Sequence, residues 1–378
     1  MALASLVAAA LFAAQGTARA ATGPAWGYSD FIWISQFWYP NSPLTTDALL
    51  QASKDDGATI DRLVVGWGWS EPQNDSYDWQ SVDIQYRAMA ALGIRPVVTV
   101  YGAPDWATAG GPSCGDCAKP PSSTHYGDWQ SFLQALIQHM RALDAQYPGF
   151  AGPKAIEVWN EPNIKRFFYP TPDAGAFVQL LKRARQAATA THFTQPIVSG
   201  ALAPNTAAKP EGGSPPNTYL KSMYQKKFNN YVDGIGIHPS PTGSTNLTAD
   251  MNGNPYYGID TLDAIRRQNR DSHPFWITEV GVSSIPCAVP SCNTSAGDPR
   301  AGVNGDSAQG NALVDMYNSL LTRPVSAVLF YDFENSDPPN SGYQGFGVVD
   351  TSSGSIVPKQ SFCILGTQIG NGNPGYGC

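Results

Sequence analysis

The chain has 378 residues, 42% hydrophobic and 14% charged, with a formal charge of −7. A phosphate backbone would repel such a surface, which argues against a nucleic-acid partner. The length suits one large α/β domain with elaborated loops, and 10 Trp with 17 Tyr suit a neutral ligand with apolar faces.

In chain order, Ala2–Ala14 is an apolar run, and Ala18-Arg19-Ala20 offers small residues at both cleavage positions. This reads as a signal peptide over 1–20, because the run is too short to span a bilayer, although no Lys or Arg precedes it. Export to the extracellular side is the expectation, with 21–378 as one domain. No later segment is long and apolar enough to cross a membrane, so no membrane partner is expected, and a monomer is expected.

Eight runs then read as buried strands: Phe31–Ser35, Ile60–Gly66, Arg95–Tyr101, Ala155–Asn160, Pro196–Ala201, Val232–His238, Pro274–Val280 and Val325–Tyr331. Between them lie helix-periodic segments, among them Asp47–Lys54, Val82–Leu92, Trp129–Leu143, Ala174–Ala190, Gly258–Asn269 and Ala308–Leu321. Alternation of this kind predicts βα units on a parallel sheet, and eight units match a single (β/α)₈ TIM barrel. An open doubly wound sheet is the alternative, but no Gly-rich phosphate loop follows the first strand. The stretches 103–126, 203–217, 240–257 and 283–306 are rich in Gly, Pro, Ser and Asn. Each follows an expected strand, where a barrel places its functional loops.

Six cysteines fall as Cys114/Cys117, Cys287/Cys292 and Cys363/Cys378. In an exported chain these close pairs predict local disulfides. The rival for Cys114-Gly-Asp-Cys117 is a redox dithiol or half a zinc site, but no helix pattern or second ligand pair follows it.

Two segments carry the chemistry. Ile156-Glu-Val-Trp-Asn-Glu-Pro-Asn163 and Pro274-Phe-Trp-Ile-Thr-Glu-Val-Gly281 are apolar strands that each close on a carboxylate. In a parallel barrel both strand ends open onto one face, so Glu161 and Glu279 can converge. A protonated carboxyl and an ionised one across an anomeric carbon cleave a glycosidic bond. A single carboxylate at a strand end is as often a helix cap or an ion pair, but two at matched positions are not easily explained that way. Metal and cofactor are not expected. The five histidines are scattered without a His-Glu-x-x-His pair, and no serine sits in a nucleophile elbow.

The Trp-Asn-Glu-Pro of the fourth strand and the Thr-Glu-Val-Gly of the seventh resemble clan A of the glycoside hydrolases. Glu157-Val-Trp-Asn-Glu-Pro-Asn163 looks most like family 39, with family 5 close behind. The resemblance implies Glu161 as acid/base, Glu279 as nucleophile and Asn160 as donor to the substrate 2-hydroxyl. Asp61-Arg-Leu-Val-Val-Gly-Trp67 resembles the family's second strand, where an arginine supports the nucleophile, which points to Arg62. Segments 67–79 and 96–106, Gly347 and Pro358-Lys359 extend the likeness over nearly the whole mature chain.

The sixth strand departs from the pattern. Asp233-Gly-Ile-Gly-Ile-His-Pro-Ser240 has Ser240 where an aromatic hydroxyl is common in the family, so the bond that orients the nucleophile comes from Tyr256, Tyr257 or Tyr331 or is missing. The accessory β-sandwich of family 39 β-xylosidases is also missing. His238 reads either as a satisfied core histidine or as a contact to sugar or nucleophile, and Arg62 either as a nucleophile partner or as a structural ion pair. Trp33, Trp38, Tyr39, Trp67, Trp69, Trp106, Trp276 and Tyr331 lie near expected strand ends. Each is a candidate sugar platform or plain core; Trp67, Trp106 and Tyr331 are the ligand candidates, and Trp276 reads as core.

The expectation is therefore a secreted, metal-independent, retaining β-glycosidase acting on oligo- or polysaccharide. Endo action is preferred because long aromatic loops suit an open cleft. The alternatives are an exo-acting β-xylosidase- or β-glucosidase-like enzyme and a non-catalytic glycan-binding barrel.

Overall fold

Eight parallel strands close on themselves in chain order: β1 Ala25–Tyr28, β2 Ile60–Gly66, β3 Arg95–Tyr101, β4 Ala155–Asn160, β5 Ile197–Leu202, β6 Gly234–Ile237, β7 Phe275–Val280 and β8 Val325–Phe330. The structure is a computed structural model and describes residues 23–29, 44–110, 117–204, 212–239, 258–285, 303–335, 345–370, 372 and 374–378. The ring is closed by β1 against β8, from Ala25↔Ala327 to Tyr28↔Phe330. The fold is the expected (β/α)₈ barrel.

One strand differs from expectation. The barrel's first strand is Ala25–Tyr28, whereas Phe31–Ser35 lies outside the described residues. Four residues interrupted by Gly27 carry too little periodicity to read as a strand. That glycine is needed there, since a Cβ would overlap the Ile60 carbonyl oxygen.

The helices are α1 Thr46–Asp56, α2 Trp67–Ser70, α3 Gln80–Leu92, α4 Tyr126–Asp144, α5 Ala174–Ala190, α6 Pro216–Gln225, α7 Ile259–Gln268, α8 Asp306–Leu320 and α9 Gln360–Gln368. Side-chain caps start two of them: Thr45 accepts from the Ala48 N–H, and Asp173 from Gly175 and Ala176. The short α6 and α9 lie outside the periodic runs named above. None of the described helices is long and apolar enough to cross a membrane. Cys363 and Cys378 are bonded, which ties the C-terminal tail to α9. Cys117 is also disulfide-bonded, while Cys114, Cys287 and Cys292 lie outside the described residues, as does the expected leader.

Strand alternation builds the barrel interior in layers. The lower layer is apolar: Ile60, Val97, Ala155, Val198, Trp276, Ala327 and Leu329 pack together, so Trp276 is core as expected. Two residues further along, the same inward positions become Arg62, Thr99, Glu157 and Thr278, all buried. An apolar plug thus supports a polar cage on the side where the strands end. The opposite strand faces and the helices form the larger hydrophobic core.

Asp61 lies on the outer face of β2, against α1. The Tyr28 N–H donates to its Oδ1 at 2.7 Å and the Ser53 hydroxyl to its Oδ2 at 2.9 Å. Burial outweighs these bonds and raises the Asp61 carboxyl to about 7. An unfolded Asp titrates at about 3.9, so the stability held by the neutral form is complete below about pH 4. It declines as pH rises and is gone once pH passes about 7. Urea unfolding at pH 4.5 and 7.5 should show a larger loss for the native chain than for Asp61→Asn, by about 3 kcal/mol. Equal losses would remove Asp61 as the source.

Candidate active site

The fourth strand presents its carboxylates through a local break in the pleat. Glu157 points into the barrel, after which Trp159 (φ 77°) and Glu161 (φ 43°) both adopt left-handed backbone. Each such residue costs about 1–3 kcal/mol. Trp159 offsets the cost by complete burial between Trp129, Phe168 and Tyr101, with its indole N–H donating to the Phe167 carbonyl at 2.6 Å. On β5, Gly200 makes room: a Cβ there would lie 2.6 Å from the carbonyl oxygens of Val158 and Trp159. Beyond the strand, the Asn163 amide donates to the Ala203 and Ser214 carbonyls and accepts from the Ala203 N–H. These bonds pin the loop that follows Glu161.

Glu161 and Glu279 converge on His238, just past the end of β6. The His238 Nδ1 lies 2.9 Å from Glu161 Oε1 and 3.9 Å from Glu279 Oε2. One donor atom from each of the three residues falls within 4.8 Å of the others. The side chains of Glu161 and Glu279 remain 14% and 29% exposed, so a ligand can reach both, whereas His238 is 3% exposed. Burial alone would lower the His238 pKa. The charge of Glu279, followed by the hydrogen bond and charge of Glu161, outweighs it and holds the pKa above the usual histidine value.

Beneath the carboxylates lies Arg62, 3% exposed. Its guanidinium donates to Glu279 Oε2 at 3.3 Å, Glu157 Oε2 at 3.1 Å and Asn160 Oδ1 at 2.7 Å. Its Nε–H donates to Thr99 Oγ1 at 2.8 Å, and Thr99 passes its own hydrogen to Glu157 Oε2 at 2.6 Å. Arg62 therefore supports Glu279 and the cage, too deep to contact ligand. Because Arg62 occupies Asn160 Oδ1, the amide NH₂ of Asn160 is left as the donor end.

The other candidates separate. Trp67 is a correction: it is fully buried, packed against Trp106, Trp129 and Phe132, and its indole N–H donates to Glu71 Oε2 at 2.6 Å. With both faces in the core it is no sugar platform. Trp106 is half-buried, edge-on to Trp67, and donates to the Glu71 carbonyl at 3.3 Å. Tyr331 is half-buried directly after β8, edge-on to Phe346. Trp69, on α2 at the rim, is 53% exposed. Trp33, Trp38, Tyr39, Ser240, Tyr256 and Tyr257 lie outside the described residues. Sequence reasoning gave no role to Thr99, Glu157 or Thr278; of these only Glu157, a carboxylate inside an apolar strand, carried a signal that could have found it. Nor did spacing bring His238 to Glu161 and Glu279, because the three come from different strands; together their ligand atoms form a cluster of the size that could hold a cation.

No family model matches the chain, and no curated protein matches it. Among solved structures, a family 39 glycoside hydrolase from the gut symbiont Bacteroides cellulosilyticus superposes with a TM-score of 0.66 at 19% identity. The match covers 93% of this chain and 65% of that one. The barrel has the family 39 fold. A family 39 β-xylosidase from Caulobacter crescentus gives a TM-score of 0.59 at 19% identity, over 92% of this chain and 72% of that one. A family 39 enzyme from Xanthomonas axonopodis pv. citri gives 0.62 at 17%, over 91% and 66%. The chain thus spans about two thirds of the length of these relatives. The likeness to family 39 expected from the motifs is met at the level of fold.

Removing one partner of a buried ion pair leaves the other charge uncompensated. The side chains of Arg62 and Glu157 are 2% and 0% exposed, so Glu157→Ala should destabilise the fold by about 3–5 kcal/mol. Denaturant unfolding at neutral pH measures this; a loss under about 1 kcal/mol, the scale of an exposed pair, would show that the pair does not support the cage.

Proposed function

We propose that this chain is a retaining β-glycosidase of clan A, most like family 39, that hydrolyses oligo- or polysaccharide. The observation that carries the reading is that one carboxylate oxygen of Glu161, just past β4, and one of Glu279, on β7, lie within 4.8 Å of each other. Retaining pairs stand about 5–5.5 Å apart, whereas inverting pairs need about 6.5–9.5 Å to admit a water between them. The present spacing supports direct attack.

In the first step the Glu161 carboxyl gives its proton to the glycosidic oxygen while a Glu279 oxygen bonds to the anomeric carbon. The leaving group departs as an alcohol, and the sugar remains as an ester of Glu279. In the second step the Glu161 carboxylate takes a proton from water, whose oxygen attacks the same carbon and releases Glu279. Two inversions give retention. The Asn160 amide, fixed by Arg62 as a donor, bonds the 2-hydroxyl most strongly as positive charge develops on the ring.

Internal cleavage of a chain is the preferred mode, supported by the exposed Trp69 at the rim. Exo action is the second reading, favoured by the structural neighbour named as a β-xylosidase. The Cys363–Cys378 bond supports export, since such bonds persist in oxidising compartments.

Chromogenic glycosides and polysaccharides, with an activated 2-fluoro glycoside, test the reading. Mass spectrometry should find the fluoro-sugar on Glu279, and Glu279→Ala should lower turnover by about 10⁴-fold or more while sparing ligand binding. A drop in polymer viscosity before monosaccharide appears supports internal cleavage; early monosaccharide supports the exo mode. Label on another residue, or an inverted product, overturns the mechanism. Glycan binding with no cleavage across the panel leaves a non-catalytic barrel.

A further inference from the structure

We infer that Glu157, acting through the Thr278 hydroxyl, fixes the tautomer of His238, so that the neutral ring carries its hydrogen on Nε2 and offers the Nδ1 lone pair to Glu161. The chain of hydrogen bonds has only one consistent direction. The buried Glu157 carboxylate receives the Arg62 guanidinium and the Thr99 hydroxyl on Oε2, and the Thr278 hydroxyl on Oε1 at 2.7 Å. A carboxylate only accepts. Thr278 has a single hydroxyl hydrogen, and that hydrogen is committed to Glu157. The 3.0 Å contact between Thr278 Oγ1 and His238 Nε2 must therefore take its hydrogen from the ring.

A neutral imidazole has one N–H. With that hydrogen on Nε2, the Nδ1 lone pair faces Glu161 Oε1 at 2.9 Å. The contact holds one proton: on Glu161 when the ring is neutral, on Nδ1 when the ring is charged and Glu161 ionised. His238 and Glu161 thus form a unit that carries a single transferable proton next to the reacting atoms. The charged groups facing this ring are Glu161 from β4, Glu279 from β7 and Arg62 from β2, with Glu157 behind Thr278. The raised His238 pKa agrees with that surrounding charge.

Loss of the Thr278 hydroxyl releases the constraint. The neutral ring can then carry its hydrogen on Nδ1 and donate to Glu161, which favours release of the Glu161 proton to solvent and leaves no acid proton for a leaving group. Thr278 is fully buried and acts on the chemistry through His238, as a positioning residue. The kinetic consequence rests on the reading of Glu161 as acid/base; the tautomer rests on the hydrogen bonds alone.

The test uses the full chain with ¹⁵N-labelled histidine, on the alkaline side of the His238 titration, with the His238 signals identified by their loss in His238→Asn. The native ring should carry its proton on Nε2. Thr278→Val should move it to Nδ1, and Thr278→Ser should keep it on Nε2. In kinetics, Thr278→Val should lower kcat/KM by about 10²-fold for an aryl glycoside with a poor leaving group. It should leave a dinitrophenyl glycoside almost unchanged, and Thr278→Ser should restore the loss. A native ring protonated on Nδ1 overturns the inference, as does an equal loss on both leaving groups. Should the chain cleave nothing, the proposed function fails while the spectrum still decides the tautomer. Should Thr278→Val not fold, the native spectrum alone decides it.

Discussion

The site depends on one buried cation. Arg62 sits inside the barrel, 3% exposed, where an uncompensated charge costs several kcal/mol. Its compensation comes from below by Glu157 and from above by Glu279. The lower carboxylate is fully buried, while the upper one keeps 29% of its side chain open to solvent. That asymmetry divides the two roles. Glu157 is saturated by Arg62, Thr99 and Thr278, and holds the cage together. Glu279 shares the same guanidinium and still faces outward.

The barrel turns this local pairing into convergence over long sequence distances. Glu161 and Glu279 stand 118 positions apart in the chain, yet both follow an inward residue of the polar layer. On β4 the inward residue is Glu157 and on β7 it is Thr278, and these two are hydrogen-bonded at 2.7 Å. The rung that joins the strands across the interior therefore lies directly below the two carboxylates. A closed sheet over a packed apolar layer fixes the height of that rung, which fixes the separation above it.

Much of this was legible in the sequence. Strands β2 to β8 could be read because each is a short apolar run between Gly- and Pro-rich segments, and the two carboxylates because they end such runs abruptly. The first strand was missed because Ala25–Tyr28 has too few residues to show a period. Trp67 misled for a different reason: a tryptophan after a strand can face the rim or turn back beneath it. The choice was made by Trp129, Phe132 and Glu71, through contacts that one-dimensional spacing does not contain. Thr99 and Thr278 were invisible because a buried threonine resembles any β-branched strand residue until its hydroxyl partner is known.

The break in β4 links the strain of the backbone to the chemistry above it. A regular strand alternates, so Glu157 inward would put Trp159 inward and Asn160 outward. The left-handed turn at Trp159 reverses this, sending the indole into the outer aromatic cluster and bringing Asn160 back over Arg62. A second left-handed residue at Glu161 then aims its carboxyl at His238. Under the proposed mechanism both groups must address one sugar ring, Asn160 at the 2-hydroxyl and Glu161 at the glycosidic oxygen. Strict alternation would place neighbouring residues on opposite faces of the sheet. The strained backbone is thus the device that puts two successive side chains on the same side, and burial of Trp159 is what keeps it in place.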